Sequence, residues 1–408
     1  MYHFRDYQIE ISNQANDILQ KRKLVVLTAE VRTGKTLMSL RTADIYGAKK
    51  VLFVTKKKAI SSIESDYANF NFTYKLTVIN KESIHKVGTD FDFVIYDEVH
   101  TIGGAFPKPS KVFKYAKEHF AHLPMILMSG TLTPESYSQI YHSFNLSNNS
   151  PFKEYINFYK WAKDFVNVQI KYVSYGTCND YSNADKSKID LYTKPFIISF
   201  TQRQAGFETQ VIEHILECEM HSQTYSLISR LKRDLIVEGT KEVILADTGV
   251  KLMQKIHQLS SGTVKFESGN SMVTDYSKAR FIQEKFEGKQ IGIFYKFKEE
   301  LNMLQNIFGE TLTTDLEIFN NSDKNIALQI VSGREGINLS KADYLVYLNI
   351  DFSATSYWQS RDRLTTMTRK SNDIYWIFGI GGIEKKIYKS VMAKKDYTLS
   401  QFRKDVRE

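Results

Sequence analysis

A short apolar run, Leu24-Val-Val-Leu-Thr28, stops at Ala29-Glu-Val-Arg-Thr-Gly-Lys-Thr36, and Leu37-Met-Ser-Leu-Arg41 continues at helical spacing. Strand, tight turn and helix in that order are the context in which this turn has a physical reading. It fits G-x-x-x-x-G-K-[ST], with Ala29 in place of the first glycine. A tight turn at a helix start aims successive N–H groups at an anion, and the helix dipole adds to their pull. Lys35 would reach the β- and γ-phosphates of a nucleotide, and Thr36 would offer its hydroxyl to Mg²⁺. The alternative is an ordinary strand-to-helix turn that carries Gly-Lys-Thr and binds nothing.

The 408 residues suffice for roughly two or three domains at about 150 residues each. With 42% hydrophobic and 25% charged residues the chain can build a core of ordinary size. The 55 basic and 46 acidic side chains leave a formal charge of +9, which suits a polyanionic partner without requiring one. Cys178 and Cys218 have no metal-ligand spacing and read as free thiols in a reducing compartment. No apolar run approaches about 18 residues, and the start, Met1-Tyr-His-Phe-Arg-Asp6, is unlike a signal peptide. A cytoplasmic protein with no membrane partner is expected.

Further along, strands are expected at Val51–Thr55, Leu76–Asn80, Phe93–Tyr96 and Leu123–Met128, alternating with helical patterns such as Ile9–Leu19. That alternation describes a doubly wound parallel sheet, an α/β fold. The strand Phe93–Tyr96 runs into Asp97-Glu-Val-His100, and two carboxylates ending an apolar strand make sense beside a phosphate site. Asp97 would hold Mg²⁺, and Glu98 would orient and deprotonate a water. Lys56-Lys-Lys58, after a strand, would face the crevice at the sheet's carboxyl edge or form a solvated corner. Gln8 could pair with both edges of adenine, or be a surface glutamine at a helix start. Between Phe152 and Phe165, aromatics interleave with lysines; they either stack bases or form the core face of a helical insertion.

Gly176–Ser187 reads as a loop, and Phe196–Phe200 and Val211–Cys218 read as strands finishing the first sheet. Gln223–Ile236 and Lys251–Leu259 read as bridging helices. A second α/β unit follows, with strands at Ile291–Tyr295, Ala327–Val331, Ala342–Leu348 and Ile374–Phe378, and a basic helix over Ile383–Lys395. The expected division is a first lobe over 1–215 with an insertion at 136–190, a helical bridge over 216–270, and a second lobe over 271–408.

Taken in order, these motifs resemble those of superfamily 2 helicases and translocases, nearest to the Swi/Snf-like branch as found in compact phage-encoded proteins. Residues 4–8 are similar to the adenine-reading glutamine motif, 29–36 to motif I, 51–58 to motif Ia, 97–100 to motif II in its D-E-x-H form, and 129–131 to motif III. In the second half, 291–298 resemble motif IV, 332–339 motif V and Gln359-Ser-Arg-Asp-Arg363 motif VI. Gly336-Ile-Asn-Leu339, Ala342-Asp343 and Gln359 with Asp362-Arg363 are the branch-specific part.

The resemblance implies two RecA-like lobes and ATP with Mg²⁺ bound in the cleft between them, the metal on Thr36 and Asp97. Nucleotide contacts would come from Arg5, Gln8, Ala29, Arg32, Thr33, Gly34, Lys35 and Thr36, with Gly336 and Asn338 from the second lobe. Lys35, Asp97 and Glu98 would act in hydrolysis with Arg363 as arginine finger, which can contribute about 10³–10⁵ in rate. The family's second arginine falls at Thr366, which leaves Arg369 or Arg361 for that role. His100, Ser129, Thr131 and Gln359 would couple hydrolysis to motion. Thr55, Lys56, Asn80, Lys296 and Ser332 would grip a nucleic-acid backbone. The implied activity is ATP-dependent unwinding or remodelling of DNA by a monomer, in phage replication, recombination or repair in the host cytoplasm. RNA as the track, or a clamp or motor subunit of a larger assembly, remain the alternatives.

Overall fold

The computed structural model describes residues 3–130, 132–133, 136–173, 176–208, 210–330, 337–365, 369, 371–393, 401–402 and 405. The chain divides into two units, Met1–Phe207 and Glu208–Glu408.

The first unit runs α1 (Asp6–Arg22), β1 (Leu24–Ala29), α2 (Lys35–Tyr46), β2 (Lys50–Thr55), α3 (Ile60–Ala68), β3 (Lys75–Asn80), β4 (Phe93–Tyr96), α4 (His100–Gly103), α5 (Lys111–Phe120) and β5 (Met125–Ser129). It continues through α6 (Ile140–Asn145), α7 (Phe158–Phe165), β6 (Gln169–Val173), β7 (Gly176–Asp180), α8 (Lys186–Thr193) and β8 (Ile197–Phe200). Among the described residues its main sheet has six parallel strands in the order β3-β2-β4-β5-β1-β8. Both faces are covered, so the strands are apolar throughout rather than alternating with polar residues. Leu24, Val26, Val94 and Tyr96 belong to the core on one face, and Val25, Leu27, Phe93 and Ile95 to the core on the other. The parallel arrangement brings the carboxyl ends of β1, β2, β4, β5 and β8 to one edge, which is where such sheets place their functional loops.

The segment expected as an aromatic insertion is built into this unit's core. Phe152, Phe158, Trp161 and Phe165 are buried with Tyr141 and Phe144, and the Trp161 and Phe165 rings stack at 5.2 Å. Asn157 caps α7 by accepting from the Lys160 N–H, which sets the start of the helix that aims these rings inward. The stretch expected as a loop from Gly176 forms instead an antiparallel hairpin with Gln169–Val173, followed by α8. Its polar residues lack an apolar alternation, and cross-strand hydrogen bonding decides the structure.

The second unit begins with β9 (Gln210–Cys218), then α9 (Ser222–Asp234), the hairpin β10 (Ile236–Glu238) and β11 (Val243–Leu245), α10 (Gly249–Ser260) and the hairpin β12 (Thr263–Lys265) and β13 (Ser271–Val273). After these come α11 (Ser277–Lys285), β14 (Ile291–Tyr295), α12 (Lys298–Phe308), β15 (Leu312–Thr313), α13 (Leu316–Asn321), β16 (Asn325–Gln329), β17 (Tyr344–Tyr347), a helix over Ala354–Ser360, β18 (Ser371–Gly379) and a helix over Glu384–Met392. Among the described residues six parallel strands lie in the order β15-β16-β14-β17-β18-β9.

Two expectations are corrected here. The strand at Val211–Cys218 does not finish the first sheet; it pairs along its length with β18, from Ser371 opposite Gln210 to Gly379 opposite Cys218. Side chains lock that register: Glu213 accepts from Trp376 Nε1 at 3.1 Å, and His214 Nε2 lies 2.8 Å from Asp373 Oδ1. The bridge over 216–270 is likewise part of the second unit, because Leu231, Ile244, Ile256 and Leu259 share one core with Tyr347, Trp376 and Phe378.

One ion pair is buried inside this unit. Lys278 Nζ lies 2.6 Å from Glu384 Oε1, both side chains are fully buried, and Lys278 also donates to the Leu348 carbonyl at 3.3 Å. Removing one partner strands the other charge away from water. Glu384→Ala is expected to lower unfolding free energy by about 3–5 kcal/mol. The double change Lys278→Met with Glu384→Leu is expected to lower it by less, as urea denaturation of the second unit would measure.

Candidate functional site

At the carboxyl edge of the first sheet, β1 turns into α2 through Glu30–Gly34. Gly34 takes the left-handed conformation (φ 83°) at the helix start, and no side chain caps that start among the described residues. The first N–H groups of α2 are thus left for an anion. Lys35 reaches back over the turn to donate to the Ala29 carbonyl at 2.6 Å. Gly130 passes close over this lysine: a Cβ there would stand 3.4 Å from Lys35 Nζ and 3.9 Å from the Ala29 oxygen, in van der Waals contact.

Two strands away, Asp97 follows β4, and its Oδ2 accepts from the Thr55 hydroxyl at the end of β2 at 2.8 Å. Burial, and then the adjacent Glu98 charge, push the Asp97 carboxyl up to about 6 against the Thr55 hydrogen bond and the Lys35 and Lys56 cations. Glu98 goes the other way: burial raises it, but Lys35, His100, Lys56 and the Gly130 N–H together hold it below the usual carboxylate range. Glu98 Oε2 lies 3.4 Å from Ser129 Oγ and 3.3 Å from His100 Nδ1, and those two groups lie 2.9 Å apart. Lys35, Asp97, Glu98, His100 and Ser129 are therefore gathered at one end of the sheet.

Backbone strain concentrates at the same place. Among the described residues four non-glycine positions have positive φ: Lys23 and Leu235 end helices, where that conformation is ordinary, while Arg32 (65°) and Glu98 (46°) lie at this site. Holding such residues costs about 1–3 kcal/mol each, and strain of this kind collects at functional sites. This donor set, with an anion-ready helix start, a lysine, a hydroxyl at Thr36 and a carboxylate, is chemically suited to a Mg²⁺–polyphosphate.

Several residues stand elsewhere than expected. Gln8 is 4% exposed; its Oε1 accepts from the Arg5 N–H at 3.0 Å, and its Nε2 lies 2.2 Å from where a Gly34 Cβ would be. One edge of its amide is thus used at the start of α1, and the other lies beside Gly34 of the turn. Thr55 is buried, and its hydroxyl is committed to Asp97. Lys56 is half-buried and close enough to act on both carboxylates. Asn80 stays at the end of β3, its Nδ2 3.4 Å from Glu82 Oε2. Arg5 donates to the Tyr7 hydroxyl at 3.0 Å.

In the second unit Lys296 pairs with Asp351 at 2.7 Å and lies 4.2 Å over the Phe352 ring, so its charge is met within the unit. Arg363 is buried, with Nη1 3.4 Å from the Ile337 carbonyl. Arg369 donates to the carbonyls of Ser371 at 2.9 Å and Ala342 at 2.8 Å, and also to that of Asp343, fastening two loops. Arg361 lies 4.4 Å over the Trp358 ring. Asn338 accepts from the Ser340 N–H at 3.0 Å, and Gln359 is in the helix Ala354–Ser360. Thr131, Ser332 and Gly336 lie outside the described residues.

Three residues at the first site were not singled out from the sequence. Tyr7 donates to the Thr33 carbonyl at 3.2 Å, Gln202 Nε2 donates to the Val31 carbonyl at 2.9 Å, and Glu30 Oε2 accepts from the Gln202 N–H at 2.6 Å. Tyr7 adjoins Gln8, but Gln202 is distant in sequence and is brought close only because β8 pairs with β1.

Two parallel six-stranded sheets flanked by helices define two RecA-like units. No protein-family model matches the chain, and no curated protein sequence matches it. Among solved structures the chain is similar to the Sulfolobus solfataricus SWI2/SNF2 ATPase core domain, at 15% identity and a TM-score of 0.43, over 97% of this chain and 89% of that one. No helix among the described residues is long and apolar enough to cross a membrane.

The electrostatics carry a stability consequence. A carboxyl whose folded pKa is raised favours folding below its unfolded pKa, and that contribution is lost as pH rises through the folded value, here about 6. Ionised Asp97 therefore opposes folding of the ligand-free protein at pH 8. Asp97→Asn is expected to raise its stability there by about 1–3 kcal/mol, with the difference vanishing below about pH 4. Urea titrations at both pH values would check this.

Proposed function

We propose that this chain is a Mg²⁺-dependent ATPase that moves along or remodels DNA. The observation that carries the reading is the convergence of Lys35, Asp97 and Glu98 at the edge where β1 opens into an uncapped helix start. The finer choice of DNA, and a role in phage replication, recombination or repair, rests on the resemblance of the second-half motifs and the excess of positive charge.

Residues 32–36 would bind the phosphates through their N–H groups, and Lys35 would leave the Ala29 carbonyl to meet them. Mg²⁺, held by Thr36 and Asp97, would neutralise charge on the phosphate oxygens. Glu98, ionised at neutral pH, would orient a water and take its proton onto a carboxylate oxygen. Ser129 and His100 fix that carboxylate from its other side, so a shift in either would move the base. Arg363 is the proposed source of a second positive charge. Thr55, Lys56, Asn80, Lys296 and Ser332 are the candidates for nucleic-acid contact, a largely sequence-independent and salt-sensitive kind of binding.

Hydrolysis by the purified protein, alone and with single-stranded, duplex or forked DNA or RNA, tests the reading. DNA is expected to raise the rate, increasing salt to weaken that effect, and Glu98→Gln to lower the rate by about 10²–10⁴-fold. At limiting Mg²⁺, kcat/KM is expected to fall as pH drops through about 6, the value of the metal-free carboxyl, because protons then compete with the metal for Asp97. Stimulation by RNA alone would move the track from DNA to RNA. An unstimulated rate with every polymer would remove the motor from the reading.

A further inference from the structure

We infer that Tyr7 and Gln202 are positioning residues for the phosphate turn, aiming its N–H groups at the anion by hydrogen-bonding the opposite ends of its peptide units. The inference rests on the nucleotide reading given above and adds to it the parts of the chain that shape the turn from outside.

A trans peptide is planar, so fixing one carbonyl fixes the next residue's N–H in the opposite direction. Gln202 Nε2 donates to the Val31 carbonyl at 2.9 Å, which directs the Arg32 N–H away from Gln202. Tyr7 donates to the Thr33 carbonyl at 3.2 Å, which directs the Gly34 N–H away from Tyr7. Thr33 Oγ1 in turn donates to the Glu30 carbonyl at 2.8 Å, so the Glu30, Val31 and Thr33 carbonyls of the turn are each tied. Arg32 (65°) holds the strained left-handed conformation of the turn, Gly34 (83°) takes the same region without that cost, and the two ties bear on their N–H groups.

Both outside residues are themselves held. The Tyr7 ring stacks on Phe200 with centroids 5.0 Å apart, and its hydroxyl accepts from Arg5 at 3.0 Å, which leaves its proton for Thr33. Gln202 is fixed by its own N–H to Glu30 Oε2 at 2.6 Å, while the Glu30 N–H donates to the Phe200 carbonyl at 2.9 Å. A turn held in this way needs little rearrangement when an anion arrives, and such preorganisation is gained as affinity.

The variants are Tyr7→Phe, which keeps the stacking ring, and Gln202→Met, which keeps length and loses the donor. Each is expected to weaken MgADP binding by about 3–10-fold, the usual effect of one neutral hydrogen bond. The same factor is expected for Mg-pyrophosphate, since the effect acts on the anion cradle. In hydrolysis KM is expected to rise with kcat nearly unchanged, the pattern of lost uniform binding. A purely structural role would lower the melting temperature without that selective loss. Unchanged affinity for both probes in folded variants would overturn the inference, as would a loss for ADP with none for pyrophosphate. If wild type and Lys35→Ala alike bind neither probe, the nucleotide reading fails and takes this inference with it; wild-type binding with silent variants defeats the inference alone.

Discussion

The first unit depends on keeping two adjacent carboxylates, Asp97 and Glu98, largely buried at the end of an apolar strand. Burial alone would drive both toward the neutral acid, and ionising them together adds repulsion. Lys35 and Lys56 supply the opposing charge, Thr55 supplies a hydrogen bond to Asp97, and the Gly130 N–H supplies one to Glu98. The two outcomes differ: Asp97 is left easy to protonate and Glu98 stays ionised. A carboxylate short of positive charge is poised for a cation, and an ionised neighbour is poised to hold a water.

The scaffold makes this arrangement possible because parallel strands end together. The residue after β4, the last residues of β2 and β5, and the turn after β1 meet at one edge without any long loop between them. Rigid strands fix the positions, and short polar connections supply the chemistry. Strain at Arg32 and Glu98 is tolerated because neighbouring hydrogen bonds hold those backbones: Gln202 Nε2 donates to the Val31 carbonyl, and the Thr101 N–H donates to the Glu98 carbonyl at 2.8 Å.

Much of this was legible in the sequence. Apolar runs ending in Ala29, Thr55 and Tyr96 give the central strands, and Gly34-Lys35-Thr36 and Asp97-Glu98 stand at strand ends where apolar cores have no use for them. What was illegible depends on partners far along the chain. The strand Gln210–Cys218 looks the same whichever sheet it joins, and its place is decided by β18, more than 150 residues later (371 minus 210). Thr55 reads as a surface contact until β4 is laid beside β2, when its hydroxyl meets Asp97. Arg369 stands near the position a second finger would occupy, yet its donors are taken up by the carbonyls of neighbouring loops. Local pattern identifies groups; pairing decides what each one touches.

Equilibrium titration of ATP into purified Glu98→Gln protein, with and without Mg²⁺, tests the central claim most directly, because turnover is suppressed and the cation dependence is read separately. The account predicts saturable binding of one equivalent that tightens strongly with Mg²⁺ and is lost in an added Lys35→Ala change. Binding indifferent to both Mg²⁺ and Lys35, or no saturable binding, would contradict it.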